Sequence, residues 1–379
     1  MDVPTASVAA VAETPRVLDG GLFREAQRQF DICNACRYCE GLCAVFPALE
    51  RRSLFLEGDI LFLANLCHDC RECFDVCPFA TPHGFGVDIP PLMSAIRQET
   101  YAGYSRPRRL GRALIEGTWS RALVSLLVVA LAMLIGMVFA DQLAAPPTGD
   151  GSFYEVVPFV AMTTAGFALT GIAALFMLVG VWRFWQDTAG RRPSVASLQA
   201  ALYAALSLEN MRGGGPGCSY PDEDLEQGRR LMHSLVFYGF LGTFVATVLA
   251  AIWQEAFGRQ PPFPLLSAPV LIGTIGGIAT IGGCAGLIVL KRRSRVELNQ
   301  QGILRLDRDF IALLVAVNIT GLGVLVMRST TAMGWLLLVH LGLVAAFFVS
   351  LPYGKFVHAT YRTGALVQDA LELRDEDGP

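Results

Sequence analysis

The sequence predicts an all-helical protein in two parts, a small cysteine-rich N-terminal domain and a bundle of six membrane-spanning helices. Three observations support this prediction. Hydrophobic residues make up 53% of the 379 residues and the mean hydropathy is +0.46, so the chain is more apolar than a soluble protein of its length. Eight of the ten cysteines fall between Cys33 and Cys77. Six apolar stretches follow, each of about 20 residues, the length that crosses the hydrocarbon core of a bilayer.

The N-terminal residues 1–20 are predicted to be a flexible lead. They contain Asp2, Glu13 and Arg16 and no apolar core, so they do not resemble a secretory signal peptide. We therefore expect the cysteine domain, residues 21–105, to stay in the reducing cytosol. Thiolates in that compartment serve as metal ligands rather than as disulfide partners.

The eight clustered cysteines form two runs with the same spacing, C-x2-C-x2-C-x3-C. The first run is Cys33, Cys36, Cys39 and Cys43, and the second is Cys67, Cys70, Cys73 and Cys77, followed at once by Pro78. In paired iron–sulfur cubes three cysteines of a run bind one cube and the fourth reaches the other. The predicted ligand sets for two [4Fe-4S] clusters are Cys33, Cys36, Cys39 and Cys77 for cluster 1, and Cys67, Cys70, Cys73 and Cys43 for cluster 2.

Two alternatives to electron-conducting clusters are less favoured by the spacing. Zinc sites usually pair C-x2-C units at wider separation and often include histidine. A purely structural role for the clusters is the other alternative. Attachment to a membrane bundle favours one-electron conduction, which is the usual purpose of two neighbouring cubes.

The six predicted spans and the charges of their loops give an orientation. The spans are residues 121–140, 157–182, 233–253, 267–290, 309–327 and 333–354. Lys and Arg concentrate in the lead-in to the first span and in the loops after the second and fourth spans, whereas the other loops carry none, Arg259 alone or Arg328 alone. Because basic loops stay on the cytoplasmic side, we expect both termini and the cysteine domain to be cytoplasmic in a bacterial inner membrane.

The resulting domain prediction has four parts. They are the lead, the two-cluster ferredoxin-like domain at 21–105, the six-span bundle at 106–358 with a long cytoplasmic loop at 186–232, and a cytoplasmic tail at 359–379. The long loop contains a predicted helix near 196–211 and then the glycine-rich segment Gly213–Gly217. This segment either caps the bundle or meets a partner, or it is a flexible turn.

Histidines in the bundle are candidate haem ligands because polar side chains inside a membrane are costly and usually functional. His233 begins span three and His358 lies at the end of span six, so the two imidazoles can meet at the cytoplasmic level and bind one b-type haem. The alternative is that both lie among lipid headgroups. His68 lies between cluster ligands and His83 in the same domain, and neither is expected to be a ligand.

His340 lies 18 residues before His358, which is five helical turns, so the two are expected on one face about 27 Å apart along a continuous helix. Span three has no histidine at the same membrane depth as His340, near Ala250. A second haem therefore lacks a second histidine ligand. His340 is therefore a candidate for haem or quinone binding, for proton relay, or for a hydrogen bond to a neighbouring helix.

With these residues placed, the chain resembles the tricarballylate utilization protein B family, also called citrate utilization protein B. The resemblance covers nearly the whole chain. It rests on the two cysteine runs, on Gly213–Gly217 followed by the sequence CSYPDE, and on His233 followed by the sequence FYGF. The bundle is more remotely similar to the cytochrome b subunit of respiratory nitrate reductase, which has a ligand pair spaced like His340 and His358. The second ligand on its other helix corresponds to a position near Thr243, which cannot bind haem.

The family resemblance implies a function. Its members reoxidise an FAD-dependent tricarballylate dehydrogenase and pass electrons to the membrane quinone pool through two [4Fe-4S] clusters and haem. This chain has no flavin- or nicotinamide-binding glycine turn, since Gly213–Gly217 does not open a strand–turn–helix unit, so substrate oxidation is expected on a separate polypeptide. No basic stripe suggests nucleic acid as a partner.

Other functions stay open at this level. One is a membrane-anchored redox sensor or docking module, which would need an output domain that the short segment 359–379 does not provide. Another is the iron–sulfur and cytochrome subunit of a different dehydrogenase or of a heterodisulfide-reductase-like complex. Such subunits carry Cys-Cys-Gly motifs, and this sequence has no adjacent cysteines.

Overall fold

A computed structural model describes residues 16–377 apart from 118, 140–142, 144–148, 150, 213–225, 296–297 and 299. All regular elements in the described part are helices, which confirms the predicted fold class. The glycine-rich segment Gly213–Gly217 and Cys218 lie outside the described residues, as does most of the N-terminal lead.

The cysteine domain consists of five helices around one apolar core. They are α1 (Gly20–Cys36), α2 (Val45–Glu50), α3 (Glu57–Leu66), α4 (Glu72–Asp75) and α5 (Ile89–Tyr104). Helix α3 is buried on all sides from Ile60 to Leu66, because its apolar run lies between α1, α5 and helices of the bundle. Its one polar residue in that run, Asn65, bonds the Leu61 carbonyl at 2.8 Å and the Thr100 hydroxyl at 3.2 Å. This core fixes the loops that carry the cysteines.

In the described part of the chain six helices are long and apolar enough to cross a membrane, so the prediction of six spans is confirmed. A short connecting helix, α6 (Arg108–Glu116), leads into the first span. The elements that follow are α7 (Ser120–Phe139), the short α8 (Phe153–Val156), α9 (Phe159–Thr188), the loop helix α10 (Val195–Ser207), α11 (Gly228–Phe257), α12 (Ala268–Arg293), α13 (Gln301–Met327) and α14 (Met333–Ser350). The chain is a multi-pass membrane protein.

The cysteine domain covers the end of the bundle where the basic loops lie. Tyr104 of α5 donates a hydrogen bond to Asp187 at the end of α9 (2.9 Å), and Arg295 just after α12 pairs with Asp75. At the opposite end the Gly151 amide donates to the Pro261 carbonyl at 2.7 Å. Alternate helix ends therefore meet the cysteine domain, as the up-and-down topology requires.

The expectation of one continuous helix through span six is wrong. Helix α14 ends at Ser350, a 3₁₀ turn covers Leu351–Tyr353, Gly354 is extended, and a new helix, α15 (Val357–Asp377), begins beyond it. Pro352 lacks an N–H and its ring clashes with the carbonyl one turn back, so the helix cannot run on. His340 and His358 therefore belong to two helices rather than to one face of a single helix.

The residues of the predicted cytoplasmic tail lie largely in α15, which packs against the cysteine domain. Glu372 receives the Arg52 guanidinium at 2.7 Å, and Asp369 pairs with Arg51. All four side chains are at most 14% exposed. Partly buried pairs in such a network are worth more than isolated surface pairs. The end of the chain thus fastens the cysteine domain to the bundle.

Helices α11 and α12 pack backbone to backbone through glycines. A Cβ on Gly283 would lie 2.7 Å from the Met232 carbonyl oxygen and 2.8 Å from the Val236 nitrogen, one residue before and three after His233. Small residues permit this kind of close approach in membrane bundles. Gly282, the adjacent residue, faces open space.

We predict that Gly283→Ala lowers the stability of the bundle by about 1–3 kcal/mol, because the new methyl group forces the α11 backbone away. Gly282→Ala is the matched control and should leave stability unchanged or slightly higher, since alanine favours helix. The measurement is the thermal unfolding midpoint of the purified protein in detergent. Equal midpoints for the two variants would contradict the close packing of α11 on α12.

Candidate functional site

The first cysteine run leaves the end of α1 and turns back towards α2. Cys33 and Cys36 lie in the last turn of α1, and Arg37 after them adopts the left-handed conformation (φ 53°). This conformation ends the helix and lets the loop with Cys39 and Cys43 fold back. Cys36 is exposed, and the neighbouring Tyr38 side chain is 67% exposed.

The second run follows α3, and its backbone turns more sharply than that of the first run. Cys67 comes directly after α3, and Asp69 and Arg71 both have positive φ (58° and 70°) although neither is glycine. Such residues are uncommon and their backbone conformation has to be held by its surroundings. The Asp69 amide lies 3.4 Å from the Cys67 sulfur, and the Phe79 amide lies 3.4 Å from the Cys77 sulfur. Amide hydrogen bonds of this kind tune the potential of an iron–sulfur cluster.

The structure brings the cysteines together in the two predicted sets. Burial, then the charges of Cys39, Cys77 and Cys36, raises the pKa of the Cys33 thiol to about 12. In the second set, a hydrogen bond with Cys70, then burial and the charges of Cys70, Cys73 and Cys67, raises the pKa of the Cys43 thiol. The fourth cysteine of each run thus lies with the first three of the other run. Iron must displace thiol protons to bind there.

The four cysteines of the second set, Cys43, Cys67, Cys70 and Cys73, line one cavity. Its wall also includes His68, Met93 and Asn210. Within the described residues, no three His, Cys, Asp or Glu side chains converge closely enough for a single metal ion. A [4Fe-4S] cluster does not require its ligands to lie that close together, because each of four thiolates binds a different iron atom. The donor set and the cavity fit a cluster better than a zinc ion, and the ligation itself stays a prediction.

The two sets differ in exposure. Cys36 of the first set is exposed, whereas Cys70 of the second set is 6% exposed and packs against Leu290 of α12. The sets are also neighbours, because the charge of Cys70 acts on Cys39. The first set therefore faces outward and the second faces the bundle.

His233 of α11 and His358 of α15 meet as the sequence predicted. Their ring centres are 6.3 Å apart and the rings are nearly perpendicular (86°). Two imidazoles that bind one metal from opposite sides, each with a metal–nitrogen bond of about 2 Å, have ring centres about 6 Å apart. The spacing fits a pair of axial ligands.

Hydrogen bonds leave ring nitrogens of both histidines available. The Nδ1–H group of His358 donates to the Lys355 carbonyl at 2.6 Å, so its Nε2 carries the lone pair. The side chain of Lys355 in turn pairs with Asp307 at 2.8 Å. Nδ1 of His233 is buried without a hydrogen-bond partner in the described part of the chain. A buried polar atom without a partner needs an explanation, and no protein group among the described residues supplies one.

His340 is not brought to this pair. Its Nδ1 lies 3.0 Å from the Thr320 hydroxyl on α13, and Gly321 makes room for its ring, since a Cβ there would lie 3.0 Å from His340 Cε1. These contacts correspond to the hydrogen bond to a neighbouring helix that was one of the expected alternatives. The other two histidines, His68 and His83, lie in the cysteine domain.

Several side chains beside the second cysteine run were not found from the sequence. Arg229 donates to the Asp69 carbonyl and Arg362 donates to the Cys67 carbonyl, both at 2.7 Å, and the buried Arg97 donates to the Ala64 carbonyl at 3.2 Å. His68 is half-buried beside these cations; the loss of solvation, then Arg362, lowers its pKa well below the ordinary value. A usable signal was present, because Arg229 and Arg362 are each four residues from a predicted haem ligand, hence on the same helix face.

Comparisons with known proteins cover almost the whole chain. The family model for citrate utilization protein B matches residues 114–378, and the model for its Fer4-like domain matches residues 26–103. Citrate utilization protein B of Escherichia coli is 38% identical over 351 residues, which is 92% of each chain. No solved structure matches the chain significantly.

We predict that Cys77→Ala damages the cluster of the first run and Cys43→Ala the cluster of the second run, because the fourth cysteines are exchanged. Each variant should lose about half of the bound iron and the electron paramagnetic resonance signal of one cluster. Cys284→Ala, which alters a buried cysteine of α12 outside both runs, is the control and should keep full iron content. Loss of the same signal in both variants would contradict the exchange.

Proposed function

The chain belongs to the citrate utilization protein B family. We propose that it transfers electrons from a flavoprotein dehydrogenase to the quinone pool of the membrane. The dehydrogenase is a separate FAD-dependent polypeptide. The family name points to citrate or tricarballylate as the substrate class of that partner, with tricarballylate dehydrogenase as our choice.

Two [4Fe-4S] clusters and one b-type haem, held by the residues described above, would supply one-electron conduction. A reduced flavin gives up two electrons and two protons, and a quinone takes up two electrons and two protons, so the overall exchange balances. The cysteine thiolates would hold and insulate the clusters, and His233 and His358 would hold the haem. The His233–His358 pair beside the second cysteine set is the observation that carries this proposal.

The outward face of the first cysteine set is the proposed entry for electrons. Cys36 is exposed there, and Tyr38 and Phe85 beside the first set are 67% and 52% exposed. A redox partner that docks on this face approaches the first cluster more closely than the second, whose Cys70 is buried. Electrons would then move towards the bundle.

The proposed orientation places the cysteine domain in the cytoplasm and the bundle in the bacterial inner membrane. It is supported by the position of the basic loops, which lie at the same end of the bundle as the cysteine domain. Lys291, Arg292 and Arg293 close α12 at that end, whereas the opposite end carries the isolated Arg259 and Arg328. The bias of Lys and Arg sets the orientation of a membrane protein.

We predict a reduced-minus-oxidised absorbance band of b-type haem in the purified protein, and its loss in His233→Ala and His358→Ala, since each removes one axial ligand. His340→Ala is the matched control on α14 and should keep the band. A parent protein without the band would remove the haem from the proposal. Loss of the band only in His340→Ala would contradict the assigned pair.

We also expect purified protein in quinone-containing vesicles to accept electrons from its reduced flavoprotein partner and to produce quinol. The measurement is quinol formation with tricarballylate or citrate as the substrate of the partner. Cluster reduction without quinol formation would overturn the proposal and favour a sensor or docking module. Reduction of the clusters by dithionite in the same sample shows that the protein is intact.

A further inference from the structure

Two arginines join the second cysteine run to the two helices that carry the histidine pair. Arg229 of α11 donates to the Asp69 carbonyl and Arg362 of α15 donates to the Cys67 carbonyl, each at 2.7 Å. We propose that Arg229 and Arg362 are positioning residues that hold the second cluster against the haem and raise its reduction potential above that of the first. This inference rests on the proposed function and adds the order of the centres to it.

Each arginine has the same spacing from the histidine on its own helix. Arg229 precedes His233 by four residues and Arg362 follows His358 by four, so each lies about one helical turn, roughly 6 Å, from its histidine. Both are displaced towards the cysteine domain, because α11 starts there and α15 runs there. Residues at this spacing share one helix face. Each ligand helix therefore reaches the second run directly through its own guanidinium.

The charge at this junction is positive. Tyr101, Arg97, the Cys67 thiol and Arg229 lie near the buried Arg362, whose Nε has no hydrogen-bond partner in the described residues. His68 lines the cavity of the second cysteine set and lies close to Arg362, Arg229 and Arg97. Cations brought together in a buried place destabilise the fold unless an anion compensates them. A cube bound by four thiolates is such an anion, and its negative charge increases on reduction.

A cation near a redox centre favours the form with the extra electron, because the attraction is stronger in that form. The second set has Arg97, Arg229 and Arg362 around Cys67, whereas Cys36 of the first set is open to solvent, which screens charge. The second cluster is thus the easier one to reduce. Electrons that enter at the first cluster collect at the second, next to the histidine pair.

The test is a redox titration of the purified full-length protein, followed by electron paramagnetic resonance, for the parent, Arg229→Gln and Arg362→Gln. Both variants should lower the potential of the second cluster and leave the potential of the first cluster unchanged. Arg362→Lys keeps the charge and should restore the potential. Arg191→Gln, which removes an exposed ion pair with Asp375, is the matched control and should change neither quantity.

Iron and haem contents of each variant show whether it is correctly assembled. Unchanged potentials in assembled Arg229→Gln and Arg362→Gln, or a shift confined to the first cluster, would overturn the inference while leaving the proposed function intact. A parent protein without haem or without two clusters would instead overturn the proposed function. Failure of Arg362→Lys to restore the potential would overturn the role assigned to charge.

Discussion

The contact on which the rest of the structure depends is the seating of the second cysteine run on the ends of α11 and α15. Two backbone carbonyls of that run, those of Asp69 and Cys67, accept hydrogen bonds from Arg229 and Arg362. Carbonyls that face charged donors make strong hydrogen bonds. Because each arginine lies one turn from His233 or His358, the same contact fixes the distance between a predicted cluster site and a predicted haem site. A domain attached only by a flexible linker would not fix that distance.

Other contacts reinforce this seating and explain why the domain does not rotate on the bundle. The end of α12 contributes Arg295, which pairs with Asp75, and α15 brings Glu372 to Arg52 of the cysteine domain. The contacts come from both sides of the second run, whereas the Cys36 face of the first set stays open. The cysteine domain therefore has an inner face held against the bundle and an exposed outer face.

The sequence was sufficient for the features that follow from periodicity, spacing and charge. Six apolar stretches and the meeting of His233 with His358 could be predicted, and the exchange of the fourth cysteines stays a prediction. The break at Leu351–Tyr353 was missed because the apolar run continues through Pro352, and hydropathy does not register a lost backbone hydrogen bond. The docking of residues 357–377 was missed because nothing in the local pattern shows that Asp369 and Glu372 meet Arg51 and Arg52, more than 300 positions earlier in the chain. Long-range pairs of this kind cannot be read from local pattern.

We infer that the second cluster, and not the first, would lie next to a haem held by His233 and His358. The most direct measurement is the electron-spin relaxation rate of each cluster after radiolytic reduction of frozen, oxidised protein, in which haem that stays oxidised is paramagnetic and speeds the relaxation of a nearby cluster. We expect faster relaxation for the cluster that depends on Cys43, and little change for the cluster that depends on Cys77. Faster relaxation of the Cys77-dependent cluster, or equal rates for both clusters, would contradict it.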